Sequence, residues 1–124
     1  MRSRDRARRW LSADALYCFG AGALLISLSQ PLGRLFHLPA WLLVGGGVAT
    51  LAWASLVALL ARRQDYRDPL RVVSTANVAA TVGLSTAVAV APISVYGKAL
   101  LAAVAAEVAA FAWLQLATLR DREP

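Results

Sequence analysis

The stretch that decides the fold class is ALLAAVAAEVAAFAWLQLATL, residues 99–119, in which Glu107 is the only charged side chain. A helix of this length crosses the roughly 30 Å hydrocarbon core of a bilayer. Three further stretches carry no charged residue at all: residues 15–33, 40–61 and 72–91. Because lipid offers no partners to backbone N–H and C=O groups, such stretches are expected to be helical. The sequence predicts one all-α domain over residues 1–124, a transmembrane four-helix bundle with spans at 11–31, 40–61, 70–91 and 98–119.

The composition fits this interpretation and excludes several classes of protein. Hydrophobic residues make up 59% of the 124 residues and charged residues 16%, which leaves too little polar surface for a water-soluble globule of this size. The chain has one cysteine, Cys18, and one histidine, His37, so neither an intramolecular disulfide nor a Cys/His metal site is expected. No cofactor site is predicted, and we expect the protein not to be an enzyme.

The positions of the basic residues predict the topology. Most of them lie before the first predicted helix, between the second and third, or after the fourth: Arg2, Arg4, Arg6, Arg8, Arg9, Arg62, Arg63, Arg67, Arg71, Arg120 and Arg122. Only Arg34 and Lys98 fall in the other two connections. Since basic residues near helix ends resist translocation, both termini and the central connection are expected in the cytoplasm. These ends are also expected to attract anionic lipids, by about 1 kcal/mol per residue, and no nucleic-acid binding is predicted.

Prolines mark the predicted helix ends. Pro31 is expected to end the first helix, Pro39 to open the second, and Pro92 to close the third. Pro69 is expected to open the third helix behind Asp68 as its N-cap. No proline interrupts a span, which argues against the broken helices that many secondary transporters use to bind substrate.

A faint internal repeat appears at a spacing of 60 residues. Trp53 and Arg62 recur as Trp113 and Arg122, within a longer set of apolar matches. The pattern predicts two helical-hairpin repeats of the same orientation. The alternative is coincidence, because an apolar composition produces many accidental matches.

Glu107 is the principal candidate for a functional site. It lies within about 3 Å of the middle of its span, where a carboxylate costs several kcal/mol unless it is neutralised or hydrated. We therefore expect Glu107 to face the bundle or a wet cavity. A hydrogen-bonded cluster of Glu107 with Thr81 and Thr50 would satisfy all three side chains. The predicted intramembrane polar cluster consists of Glu107, Thr81, Thr50, Asn77, Ser85 and Gln115. The cluster is interpreted either as interhelical hydrogen bonding or as a group that handles protons or cations; contact with lipid or a small molecule is a third interpretation.

Asp14 is predicted to have a simpler role. It lies one turn into the first predicted helix, where an acidic side chain favours the helix N-terminus, so a capping or interface role is expected. Cys18 and Gly22 follow at four-residue intervals and indicate helix packing.

Small residues predict the faces through which the helices associate. Close backbone approach supplies much of the contact energy between helices in lipid. The predicted packing positions are Gly46, Thr50, Ala54, Ala99, Ala103, Ala106 and Ala110. The alternative is that Ala and Gly are simply abundant in membrane helices, so the pattern does not identify a partner.

Two families of four-helix membrane proteins do not fit. Small multidrug-resistance transporters carry their essential carboxylate in the first helix, whereas Glu107 lies in the fourth. Small fluoride channels use an Asn and paired Phe pattern that has no counterpart in these spans. The runs LFHLP at residues 35–39 and FAWLQL at 111–116 resemble uncharacterised small integral membrane proteins of bacteria. That resemblance implies an inner-membrane location and a four-helix bundle, and it implies no activity.

The function expected from the sequence is that of an accessory or structural component of the inner membrane. It would associate through its helix faces, either with a second copy or with another membrane protein. The alternative is a small proton-coupled transporter or channel in which Glu107 is the titrating group.

Overall fold

The computed structural model describes residues 2–120, and within that range the protein is all-α with five helices. They are α1 (Ser3–Ser27), α2 (Ser29–Phe36), α3 (Ala40–Ala61), α4 (Arg67–Val90) and α5 (Val95–Arg120). All except α2 are long and apolar enough to cross a membrane, which suggests a membrane protein. Arg122, which belongs to the basic residues used to predict topology, lies outside the described residues.

Helix α1 begins eight residues earlier than the predicted span, because its basic N-terminal segment is also helical. Ser3, Ala7 and Leu11 are buried at four-residue intervals, so one face of this segment packs against the protein. The exposed face carries Arg4 and Arg8. A basic segment predicted to precede the helix is therefore part of it.

The prediction that Pro31 ends the first helix is wrong. Helix α1 ends at Ser27, and Pro31 is the third residue of α2, a helix within a segment predicted to be a connection. Proline is tolerated there because N–H groups in the first turn have no partner within the helix. Helix α2 ends at Phe36. The next residue, His37, has a left-handed φ of 59°, and the Leu38 N–H donates to the Gly33 carbonyl at 2.9 Å.

The start of α4 also differs from the prediction. The helix begins at Arg67, and the Arg67 N–H donates to Asp65 Oδ1 at 3.1 Å. Asp68 is the second helical residue and pairs with Arg71 at 3.5 Å, so it is not the N-cap. By contrast, the predicted boundaries at Pro39 and Pro92 are confirmed, since α3 begins at residue 40 and α4 ends at residue 90.

The long helices pack as two pairs, α1 with α3 and α4 with α5, and the two pairs contact each other mainly through α1 and α5. Helices α1 and α3 approach each other closely at Gly22 and Gly47. A Cβ atom on Gly47 would lie 2.8 Å from the Gly22 carbonyl oxygen, so only glycine fits this crossing without movement. Two helix pairs are what a duplicated hairpin would produce, and the duplication itself stays a prediction.

The best-packed part of the molecule is the end that carries the α3–α4 connection. The buried apolar core there comprises Ala7, Leu11, Ala15, Val57, Ala61, Leu70 and Val73. Arg67 Nη2 also donates to the Leu119 carbonyl at 3.2 Å, which joins the start of α4 to the end of α5. Beyond Asn77, the described residues of α4 include no buried side chain. At the opposite end, Ser94 Oγ donates to the Leu35 carbonyl, and Phe36 packs on Gly97.

Candidate functional site

A buried cluster of polar side chains lies where three long helices meet. Asp14 comes from α1, Asn77 from α4 and Gln115 from α5, and their exposed fractions are 2%, 6% and 0%. On each helix the residue shares a face with core side chains: Leu11 precedes Asp14 by three residues, and Val73 precedes Asn77 by four. The apolar periodicity that buries the core therefore also carries these polar groups into the interior.

The hydrogen bonds form a closed triangle. Asn77 Nδ2 donates to Asp14 Oδ2 at 2.7 Å and to Gln115 Oε1 at 3.0 Å, using its two hydrogens. Gln115 Nε2 donates to Asp14 Oδ2 at 2.9 Å. The fourth member, Cys18, lies one turn along α1, and its Sγ donates to Asp14 Oδ1 at 3.5 Å. Both oxygens of the Asp14 carboxyl therefore accept hydrogen bonds.

This triangle joins the two helix pairs. Asp14 belongs to the α1–α3 pair, while Asn77 and Gln115 both belong to the α4–α5 pair. Contacts between the pairs are fewer than those within each pair, so these bonds act together with the apolar core that α1, α3 and α4 share to hold the pairs in register. Interhelical hydrogen bonds in membrane proteins average about 0.6 kcal/mol each, but a buried carboxyl left without donors costs considerably more.

The triangle includes two members of the polar cluster predicted from the sequence and omits the other four. Asn77 and Gln115 come together around Asp14. The Thr81 hydroxyl donates to the Asn77 backbone carbonyl at 2.8 Å, and the Thr50 hydroxyl donates to the Gly46 carbonyl at 2.7 Å, each within its own helix. Ser85 is exposed on α4. Among the described residues, no hydrogen bond joins Glu107 to either threonine.

Glu107 occupies a different place from the one predicted. Its side chain is exposed on α5 and does not face the interior. Its carboxyl is an electrostatic neighbour of the Tyr17 phenol on α1. The Tyr17 ring also packs on Phe111, with ring centroids 5.7 Å apart. Gln115 lies about 12 Å further along α5, since eight residues separate the two at about 1.5 Å each.

The role predicted for Asp14 is wrong. Helix α1 begins at Ser3, so Asp14 lies far beyond the first turn, and its side chain cannot cap the helix. The signal for its actual role was present in the sequence as three polar residues, Asp14, Asn77 and Gln115. Each lies near the end of its apolar stretch that is predicted to face the cytoplasm. What the sequence could not supply was their relative rotation about three helix axes.

The small residues predicted to pack lie mostly on the outer surface. Ala99, Ala103, Ala106 and Ala110 are all exposed on α5, and a Cβ atom on Gly46 would meet nothing within 4 Å. Ala54 is fully buried, and Thr50 is half-buried. Within the chain, the close contact in α3 is made by Gly47 in place of Gly46. Whether the exposed alanines contact a second chain stays a prediction.

Comparison with known proteins adds no relative: no family model, no curated protein and no solved structure matches this chain.

Proposed function

We propose that the protein is a non-enzymatic, multi-pass component of a bacterial inner membrane that associates with another membrane chain through one face of α5. We call this the alanine face and define it as Ala99, Ala103, Ala106 and Ala110. The observation that carries the proposal is that this face is exposed and borders Glu107. The partner is either a second copy or a different membrane protein.

The geometry of α5 brings the carboxyl and the small residues together. The alanines follow at intervals of four, three and four residues, which places them in one stripe along the helix. Glu107 is four residues from Ala103 and three from Ala110, so it lies at the edge of the same stripe. A second helix can approach closely where side chains are this small, and it would then reach the carboxyl.

The cost of an exposed carboxyl supports this assignment. Glu107 lies halfway along α5, at the depth where lipid surrounds an exposed side chain. A carboxyl there costs several kcal/mol when it faces lipid alone. The Tyr17 phenol offers one neighbour within the chain, but a carboxyl has two oxygens and can form further hydrogen bonds. A polar group from a partner helix would form the remaining hydrogen bonds to the Glu107 carboxyl.

Two alanine substitutions test the proposal. Ala106→Leu places a bulky side chain in the alanine face. It is expected to reduce the mass of the complex purified from membranes in mild detergent to that of the isolated chain, whichever partner is present, measured by light scattering. Ala52→Leu is the matched control, because Ala52 is also exposed but lies on α3. Equal behaviour of both variants and the parent would contradict the proposed interface.

The second candidate function is proton coupling, and one observation favours it. Glu107 neighbours Tyr17, and Tyr17 lies one turn from Asp14, whose carboxyl is bonded to Asn77 and Gln115. Polar groups therefore extend from the middle of α5 toward the end that is predicted to be cytoplasmic. A proton path requires such a series of donors and acceptors.

Flux measurements separate the two functions. In reconstituted vesicles, the association proposal predicts no pH-driven flux for the parent protein or for Glu107→Gln. Proton coupling predicts flux in the parent and its loss in Glu107→Gln, because an amide cannot titrate. Ala52→Leu serves as the control for reconstitution, since it should match the parent in either case.

A further inference from the structure

We propose that a groove between α1 and α3 binds one anionic phospholipid, with the lipid phosphate between Arg8 and Arg62 and an acyl chain along Leu16 and Phe19. This inference rests on the membrane location proposed above and does not depend on the alanine face.

The groove is large enough and has the right lining. Its volume is about 540 Å³, which lies within the range of roughly 300–1,000 Å³ typical of small-molecule sites. The residues that line it are Arg8, Ser12, Ala15, Leu16, Phe19, Ala58, Ala61 and Arg62. It is open on one side, as a site filled from the surrounding lipid would be. Among residues 2–120, no carboxyl group lines it.

The lining changes from charged to apolar along α1. Arg8 and Ser12 lie at one end, and Leu16 and Phe19 follow at the other, all on one helical stripe. The distance from Arg8 to Phe19 along the axis is about 16 Å, from eleven residues at about 1.5 Å each. A phospholipid has the same sequence of groups, a charged head followed by an apolar chain.

The two arginines suit a phosphate. Both are exposed, and among residues 2–120 no ion pair involves either guanidinium. Planar guanidinium groups bind phosphate oxygens with paired N–H donors, and the Ser12 hydroxyl can add a further donor. Arg8 comes from α1 and Arg62 from the end of α3, so the phosphate would connect the two helices of the pair.

The apolar wall distinguishes a lipid from a free anion. Leu16 is 73% exposed and Phe19 is 39% exposed, although both lie beside the groove in an apolar span. Inorganic phosphate would leave this wall uncovered, whereas an acyl chain would cover it. Leu16 and Phe19 lie next to the arginines, at the end of the molecule predicted to face the cytoplasm. The acyl chain of a lipid lies at this depth, directly below its headgroup.

The test is native mass spectrometry of the full chain in detergent, titrated with phosphatidylglycerol and, separately, with phosphatidylcholine. The parent is expected to retain phosphatidylglycerol preferentially. The double variant Arg8→Gln/Arg62→Gln is expected to bind it about 30-fold more weakly, as two basic contacts at the usual strength would give. The control Arg4→Gln/Arg63→Gln removes the same charge from exposed positions outside the groove and is expected to bind like the parent.

A second pair of variants tests the acyl chain. Phe19→Ala is expected to weaken phosphatidylglycerol binding severalfold, while Trp113→Ala, an exposed aromatic residue on α5, should not. Equal losses in the two arginine variants would overturn the site in favour of diffuse attraction by the basic ends. Binding of glycerol phosphate as tight as that of the whole lipid would overturn it in favour of a free-anion site. Neither result depends on whether the chain associates through the alanine face.

Discussion

Asp14 is the residue through which the polar triangle joins the two helix pairs. It accepts hydrogen bonds from Asn77, Gln115 and Cys18 while only 2% of its surface is exposed. Groups buried to this degree lose the option of bonding to water, so each amide donor depends on this one carboxyl. The whole cluster therefore responds to a change at one position.

We predict that Asp14→Ala lowers the free energy of unfolding by about 1–3 kcal/mol, because two buried amide N–H groups lose their acceptor. The measurement is denaturant-dependent unfolding in mild detergent, followed by circular dichroism. Asp68→Ala is the control: Asp68 is exposed and, within residues 2–120, pairs only with Arg71, so its loss should cost less than about 0.5 kcal/mol. A cost for Asp14→Ala no greater than that of the control would contradict the role given to the cluster.

The hydrogen bond from Asn77 to Asp14 can be tested by replacing Asn77 with a second acid. In Asn77→Asp, an oxygen would take the place of Nδ2, which lies 2.7 Å from Asp14 Oδ2. Two carboxylates at this distance repel, and protonation of one of them restores a donor. We predict that this variant melts below the parent at pH 7 and recovers part of the difference at pH 4.5. A variant whose deficit is the same at both values would show that the two groups do not meet.

At the scale of the elements, the α1–α3 pair depends on two glycines. Gly22 and Gly47 face each other so closely that any Cβ atom would approach backbone oxygen at under 3 Å. The neighbouring Gly46 has open space beside it. The helices can therefore cross closely at only one of these two positions of α3.

We predict that Gly47→Ala destabilises the protein and that Gly46→Ala does not. The added methyl group at 47 has to push α1 away, at a cost of about 1–3 kcal/mol, whereas at 46 it points into open space and improves helix propensity. The measurement is thermal unfolding of both variants in the same detergent. If the Gly46 variant were the less stable of the two, α3 would have to be rotated so that Gly46, and not Gly47, faces α1.

The helices themselves could be predicted, because long charge-free stretches of this length have one structural solution in lipid. Helix α2 could not. A proline such as Pro31 occurs both just after the end of a helix and in the first turn of the next helix, so the residue alone does not distinguish the two. Its actual position depends on the break between α1 and α2 at Leu28. Asp68 was ambiguous for a similar reason, since α4 begins two residues before Pro69, which places Asp68 inside the helix and Tyr66 at the N-cap.

At the scale of the whole molecule, burial is concentrated at one end. The apolar core, the polar triangle and the Arg67–Leu119 hydrogen bond all lie toward the end that holds the α3–α4 connection. The other half of α4 contributes no buried side chain within the described residues. This leaves large helix faces to be covered by lipid or by another chain.

The orientation of that end can be measured directly. We predict that reporter fusions after Arg63 and after Arg122 report cytoplasm, and that fusions near His37 and Tyr96 report the outer side. The physical reason is that arginines are concentrated near Arg63 and Arg122, and basic residues near helix ends resist translocation. A periplasmic C-terminus would contradict this topology.

The candidate site shows what the sequence alone could and could not predict. Asn77 and Gln115 were recognisable because polar residues are rare in apolar spans. Their partner, Asp14, was not recognisable. Glu107 and Asp14 are each the one acidic residue near an apolar stretch, and only the rotation of each helix about its axis decides which of them points inward. The alanine face was predicted as a contact, yet its neighbours within the chain do not use it. In a membrane, no hydrophobic penalty reveals which face of an apolar helix is outside.

The measurement that tests the central proposal most directly is photo-crosslinking in native membranes through a photoreactive phenylalanine derivative in place of Trp113. Trp113 is 69% exposed and lies three residues beyond Ala110, so the probe replaces one large aromatic group with another beside the alanine face. Trp41, 72% exposed on α3, gives the matched control. We predict a protein adduct of defined mass from position 113 that is much weaker from position 41. Adducts with lipid alone from both positions would contradict it.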